Sequence, residues 1–366
     1  MLGAVPSTVR PRELSGGVIV RPDPRLWSHD WAREIVRRHG SDTLDYFALR
    51  DDKHHFFVGE SLVAYRVFGK VCLVAPDPIG PANDREFVWT RFCRFAHDHG
   101  WSVVVLGASA AWLPTYASQS MRSLYIGDEA VVDASAFHLN GGRRKSLRQA
   151  YNRIARNGYV ATFLDPSEIR GKLADSIRAV MERGRIGEDE RGFSMTLGRI
   201  FDPADDGLML ALATDKHGEP AAFCQYVPAP AINGYSLDLM RWDHGDHANG
   251  LIDFLVVSTL HEFRRRGLRG LGLNFAAMRA ILTGETGKSI VQTLARLGLH
   301  WLSDSVQIES LCRFDAKYGP TWQARYIAYE QVHDLPAALL AIVRAETLVE
   351  IPLLGRFAKP SGPTRH

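Results

Sequence analysis

The stretch that decides the fold runs LMLALATDKHGEP at 208–220, AAFCQYVPA at 221–229, GYSLDLMRW at 234–242, LIDFLVVSTLHEFRRRG at 251–267 and LRGLGLNFA at 268–276. Its first three segments are apolar, and turns carrying Gly, Pro and Asn separate them, which reads as three strands. The fourth spaces its apolar residues as a helix does and is closed by Gly267; the fifth is again an apolar strand. The order is β-β-β-α-β.

The same order occurs earlier in the chain. HHFFVGE (54–60), SLVAYRVFG (61–69) and KVCLVAP (70–76) read as strands, EFVWTRFCRFAHDHG (86–100) as a helix and WSVVVLGAS (101–109) as a strand. Each copy continues with a helical segment, AWLPTYASQSM (111–121) or SIVQTLARLGL (289–299), and then an apolar strand, SLYIGDEAVVD (123–133) or ARYIAYEQV (324–332). The offset of about 155–165 residues indicates a tandem duplication. The expected fold class is mixed α/β (α+β), two tandem GNAT-like acyltransferase units, with the strands flanking each helix paired in parallel. That analogy favours acyl transfer without naming a substrate. The expected organisation is a tail at 1–25, a first unit at 26–140, a basic helix at 141–158, a second unit at 159–332 that carries the active site, and a C-terminal helix and tail at 333–366.

Composition agrees with a globular protein of this size: 366 residues, 46% hydrophobic and 23% charged. The four cysteines, Cys72, Cys93, Cys224 and Cys312, have neither a CxxC pair nor a Cys/His zinc spacing, so buried reduced thiols are expected and no metal is implied. The N-terminus has no apolar signal core, and no stretch is apolar enough to cross a membrane, which sets a cytoplasmic location as the expectation. The segment LPAALLAIVRAETLVEIPLLGRF near the C-terminus is an apolar helical pattern, expected to pack on the core rather than lie in a membrane interface.

A net charge of +3 is too small to imply a polyanionic partner, so the distribution of charge decides. Within FHLNGGRRKSLRQAYNRIARNGY (137–159) stand Arg143, Arg144, Lys145, Arg148, Arg153 and Arg156, with no acid among them. Solvated helix faces usually alternate signs, because like charges three or four residues apart repel. An unmixed run points to an external polyanion, whether RNA phosphates or an anionic lipid surface.

Acyl-CoA is disfavoured as the donor. The turn RWDHGDHANGLIDF between the third strand and the helix lacks the glycine spacing of a pyrophosphate-cradling loop. In GYSLDLMRW, Asp238 and Arg241 place two charges in an apolar strand, on opposite faces unless a bulge intervenes. Such charges have either structural partners or a polar site to line. A carboxylate could accept the proton of an attacking hydroxyl, and a guanidinium could meet developing negative charge. The C-terminal cluster from Glu309 to Tyr326 interleaves basic and aromatic residues, which suits phosphate contacts beside a stacked base.

Several short segments occur together and in order: Asp51-Asp52-Lys53, Pro76-Asp77-Pro78-Ile79-Gly80, Ile126-Gly127-Asp128-Glu129-Ala130, Glu190-Arg191-Gly192-Phe193-Ser194, Asp238-Leu239-Met240-Arg241 and Asn249-Gly250-Leu251-Ile252-Asp253. With Leu273-Asn274-Phe275-Ala276 and Glu309 through Arg325-Tyr326, the chain resembles the catalytic domain of the aminoacyl-phosphatidylglycerol synthases, especially their actinobacterial branch. The resemblance implies transfer of an amino acid, lysine favoured and alanine possible, from aminoacyl-tRNA to a lipid hydroxyl such as that of phosphatidylglycerol, or to diacylglycerol, without a cofactor. It implies Asp238 and Arg241 as catalytic residues. It further implies Glu190, Asn249, Asp253, Asn274, Lys317 and Arg325 as substrate-binding, and the Arg143–Arg156 helix as tRNA-facing. The membrane-embedded domain usual in the family has no counterpart in this sequence, so peripheral contact with the bilayer is expected.

Overall fold

The computed structural model describes residues 25–142, 144–184, 194–245, 247, 249–277 and 313–346, the side chains of 25–28, 274–277 and 343 excepted. The first half contains α1 (Arg25–His39), β1 (His54–Val58), β2 (Ser61–Phe68), β3 (Val71–Val74), α2 (Arg85–Asp98), β4 (Ser102–Ser109), α3 (Leu113–Ser118) and β5 (Arg122–Asp133). Then come α4 (Lys145–Arg156), β6 (Val160–Leu164), α5 (Gly171–Arg183), β7 (Met209–Thr214), β8 (Pro220–Ala229) and β9 (Gly234–Trp242). The chain continues with α6 (Leu251–Arg266), β10 (Gly270–Ala277), β11 (Thr321–Tyr329) and α7 (Leu335–Ala345). The helical segment expected at 289–299 and the residues from Glu309 to Cys312 lie outside the described residues.

All the strands of the described residues join one 11-stranded sheet in the order β1-β2-β3-β4-β11-β5-β10-β9-β8-β7-β6. The strands that flank α2 (β3 and β4) and those that flank α6 (β9 and β10) pair in parallel, as the sequence leads one to expect. The centre of the sheet holds a reciprocal exchange. β5, the last strand of the first half, lies between β10 and β11; β11, the last of the second, lies between β4 and β5. Each half therefore houses the other's final strand.

Central strands covered on both faces need apolar side chains at every position. In β4, Val103 and Val105 pack with Trp89 and Phe92 of α2, whereas Val104 and Leu106 pack with Ala338 and Ile342 of α7. The apolar C-terminal helix is thus seated on the core, in its described part. In the second half α4 and α6 cover one face through Leu147, Ile154, Leu255 and Phe263, and α5 covers the other through Ile177 and Val180. Burying a side chain of this size contributes roughly 1.5–3 kcal/mol. Left-handed glycines bound α6, Gly250 (φ 105°) before it and Gly267 (φ 74°) after it. Cys72, Cys93 and Cys224 are buried free thiols.

Candidate active site

Asp238 sits at an irregularity in β9. Gln225 of β8 opposes Leu239 and Tyr226 opposes Leu237, so Asp238 is the extra residue of a bulge. Leu237 joins the α4–α6 side of the sheet and Leu239 the α5 side. The Asp238 carboxylate accepts hydrogen bonds from Thr196 Oγ1 (2.7 Å) and Leu197 N (2.8 Å) on Oδ1, and from Gln225 Nε2 (2.6 Å) on Oδ2. Gln225 is itself held, since its Nε2 also donates to the Arg199 carbonyl at 2.9 Å. No cation stands within ion-pair distance of Asp238 among the described residues. Burial pushes its pKa up to about 6 while the three donors act in the opposite direction. A carboxylate held only by neutral donors and titrating near neutrality has the properties of a general base.

Arg241 follows on the same strand, half-buried, and its Nη1 donates to the Met240 carbonyl at 2.8 Å. A Cβ on Gly184, the residue that closes α5, would stand 2.9 Å from the Trp242 carbonyl and 3.3 Å from Arg241 Cδ, so glycine lets α5 end against the guanidinium stem. Glu190 lies outside the described residues.

A second cluster forms at the N-terminus of α6. Asp253, in the first turn, accepts on Oδ1 from both Lys317 Nζ and the Tyr318 hydroxyl, each at 2.6 Å. The helix dipole favours a carboxylate there. Lys317 also lies over the Phe314 ring, 4.4 Å from its centroid. Asn249 takes part through its backbone, its carbonyl accepting from Arg153 Nη2 at 2.5 Å. Asp253, Lys317 and Asn249, all expected at the site, thus gather at one helix end. The Asn274 side chain lies outside the described residues; its backbone falls where the pairing of β10 with β5 shifts between Gly272 and Phe275.

Arg325 is placed elsewhere. It is 2% exposed, with Nε 3.0 Å from Glu129 Oε2, Nη1 2.9 Å and Nη2 2.8 Å from the two Asp42 oxygens, and Nη2 2.8 Å from Thr43 Oγ1. Burial opposes its charge, but the two carboxylates outweigh burial and hold its pKa above the ordinary value. These contacts tie β11 to β5 and to the chain after α1, and they do not join Arg325 to Lys317.

The basic residues of α4 divide into two groups. Arg144 Nη2 donates to the Tyr318 carbonyl (3.1 Å), Arg148 Nη1 to those of Leu139 (2.5 Å) and Gly141 (3.2 Å), and Arg153 to Asn249. Arg153 thus fastens α4 to the α6 end, Arg144 ties its start to the turn that carries Lys317, and Arg148 holds the loop that precedes α4. Lys145 and Arg156 are exposed and have no partner among the described residues. Arg143 lies outside those residues. α4 packs on α6 through Leu147 and Ile154, and Tyr151 stacks on Phe254 with centroids 5.3 Å apart.

Sequence reasoning missed Thr196 and Gln225, which hold Asp238, because neither stands in a recognisable motif. It also passed over Asp315, which is 0% exposed and whose carboxylate oxygens have no hydrogen-bond partner among the described residues. Burial pushes its pKa well above the carboxylate range.

Comparison with known proteins places this geometry in context. The family described as phosphatidylglycerol lysyltransferase, C-terminal, matches residues 33–329. The lysylphosphatidylglycerol biosynthesis bifunctional protein LysX of Mycobacterium bovis (strain BCG / Pasteur 1173P2) is 35% identical over 347 residues, covering 92% of this chain and 29% of that protein. LysX of Mycolicibacterium gilvum is 33% identical, covering 93% of this chain and 31% of that protein. The chain thus spans about three-tenths of the length of these relatives. Among solved structures, L-PGS from Bacillus licheniformis superposes with a TM-score of 0.76 at 24% identity, covering 89% of this chain and 97% of that one. The C-terminal domain of a putative lysylphosphatidylglycerol synthetase from Agrobacterium fabrum gives 0.73 at 26% identity, covering 88% and 98%.

Proposed function

Because the chain belongs to the family of phosphatidylglycerol lysyltransferase C-terminal domains, we propose that it transfers an aminoacyl group, lysine in the favoured case, from aminoacyl-tRNA to the hydroxyl of phosphatidylglycerol. The observation that carries the reading is the Asp238 carboxylate, buried in a bulge of β9 and held by Thr196, Leu197 N and Gln225 with no cation beside it among the described residues. Asp238 takes the proton of the lipid hydroxyl as its oxygen attacks the ester carbonyl. The new ester bond forms as the bond to the tRNA ribose oxygen breaks, and that oxygen leaves with a proton. Arg241 supplies positive charge for the oxyanion. The Asp253–Lys317 pair orients the substrate at the α6 end, and the exposed cations of α4 meet tRNA phosphates. The second half of the chain would hold this site, with no metal or cofactor taking part.

No helix among the described residues is long and apolar enough to cross a membrane, and the reading takes contact of this domain with the bilayer to be peripheral. The test combines the protein with lysyl-tRNA charged with radiolabelled lysine and vesicles containing phosphatidylglycerol. Label should enter the lipid fraction, and RNase should abolish transfer. Label that persists after RNase, or that requires CoA, would refute the reading.

A further inference from the structure

A cleft of about 370 Å³ opens between the first half of the chain and β11, lined by Asp42, Asp45, Asp77, Arg85 and Trp112 and, from β11, by Arg325. Its inner wall is acidic and short of counter-charge. Asp42 is engaged by Arg325, but Asp45 and Asp77, each 4% exposed, have no cation within ion-pair distance among the described residues. Asp77 accepts from the Tyr116 hydroxyl (2.5 Å) and Ser109 N (2.9 Å). Asp45 accepts on Oδ2 from Ser41 N (2.6 Å) and Asp42 N (2.9 Å), and its Oδ1 has no hydrogen-bond partner among the described residues although the side chain lines the cleft.

The opposite charge also lines the cleft, with no anion beside it among the described residues. Arg85 lies over the Trp112 ring, 5.0 Å from its centroid, and makes no ion pair or hydrogen bond with a described residue. Buried carboxylates without a cation are costly, and a guanidinium beside an aromatic ring is suited to a carboxylate or phosphate. One small molecule can answer both ends.

We propose that this cleft binds a compact zwitterionic ligand, with an ammonium group directed to Asp45 and Asp77 and an anionic group directed to Arg85. A free diamino acid and the headgroup of an aminoacylated phospholipid share that chemistry. The proposal does not rest on the transfer reading, since Asp45, Asp77 and Arg85 take no part in it.

Titration calorimetry tests it with L-lysine, with cadaverine, which lacks the carboxylate, and with hexanoate, which lacks the ammonium. L-lysine should bind, hexanoate should not, and Asp45→Asn or Asp77→Asn should weaken lysine and cadaverine by about tenfold or more, the scale of a lost charge-assisted hydrogen bond. Arg85→Gln should weaken lysine and leave cadaverine unchanged. Thermal melts verify folding; should Asp77→Asn fail to fold, Asp45→Asn and Arg85→Gln carry the test. Flotation with phosphatidylglycerol vesicles, with and without lysylated lipid, assigns the source. Asp45-dependent capture of lysylated vesicles without binding of free lysine identifies the headgroup. Absence of both kinds of binding overturns the proposal, as does lysine binding that is lost in Asp253→Asn and retained in Asp45→Asn.

Discussion

Lys317 Nζ lies 2.6 Å from Asp253 Oδ1, an ion pair that fastens the turn before β11 to the first turn of α6. Both side chains remain partly exposed, 27% and 17%, so the pair contributes little to stability, about 0–1 kcal/mol. Under the proposed transfer, its position at the end of the helix that follows the Asp238 strand would give it a larger part in orienting substrate. Asp253→Asn keeps an acceptor for the Tyr318 hydroxyl while removing the charge. Transfer should fall about tenfold with the melting temperature nearly unchanged, measured by lipid labelling and calorimetry. Unchanged transfer would remove the pair from the site.

Asp238→Asn should reduce transfer by about 10²-fold or more, the scale of losing a general base, while tRNA binding persists in a filter assay. With the wild-type group titrating near 6, the rate should rise with pH up to about 6 and then level, and the variant should lose that limb. Stability moves in the opposite sense. A carboxylate raised from 3.8 to about 6 binds its proton more tightly in the folded state, so its stabilising contribution is present below about 4 and is lost as pH rises through 6. Chemical denaturation at pH 4 and pH 7 should show a smaller loss for Asp238→Asn than for wild type. Equal losses would contradict the assignment.

Arg325→Ala should damage the fold before it damages chemistry. Removing it leaves Glu129 buried and Asp42 half-buried without this cation, a loss of about 3–5 kcal/mol, visible as a large drop in melting temperature. A variant that melts like wild type but fails to transfer would assign Arg325 a substrate-orienting role.

Charge reversal at Lys145 and Arg156 should weaken tRNA binding and shallow its salt dependence, by about one unit of slope for each phosphate no longer neutralised. Melting temperature should hold, because neither residue has a partner among the described residues. Arg144 and Arg148 differ, since each also holds backbone carbonyls, and their reversal should cost stability as well. Affinity that ignores Lys145 and Arg156 at low salt would free α4 from RNA.

The elements most legible in the sequence were those whose pattern is local. The run Val103–Leu106 announced a strand covered on both faces, α6 announced its end through Gly267, and the acid-free α4 was plain. Asp238 stood out as a charge in an apolar strand. Its bulge did not, because a strand buried on both faces has no alternation from which a register shift can be read. The short edge strand β6 and the helix α5 also escaped, Val160 being more than half exposed and therefore a weak signal. The surroundings of Arg325 were illegible for another reason. Its partners Asp42 and Glu129 are 283 and 196 positions away, and no local pattern records such contacts.

The exchanged strands β5 and β11 have a consequence for how the protein can be divided or joined. Strands in a sheet lie about 4.8 Å apart, so removing β11 would leave a slot of roughly twice that width between β4 and β5, edged by unsatisfied backbone groups. A fragment ending in the α4 region therefore needs a donor strand supplied in trans, and the complementary fragment needs one in return. Two copies of the whole chain could meet the same need by trading β11 with each other. At high concentration, and after partial unfolding, the expected off-pathway product is a strand-swapped dimer that retains every pairing of the monomer.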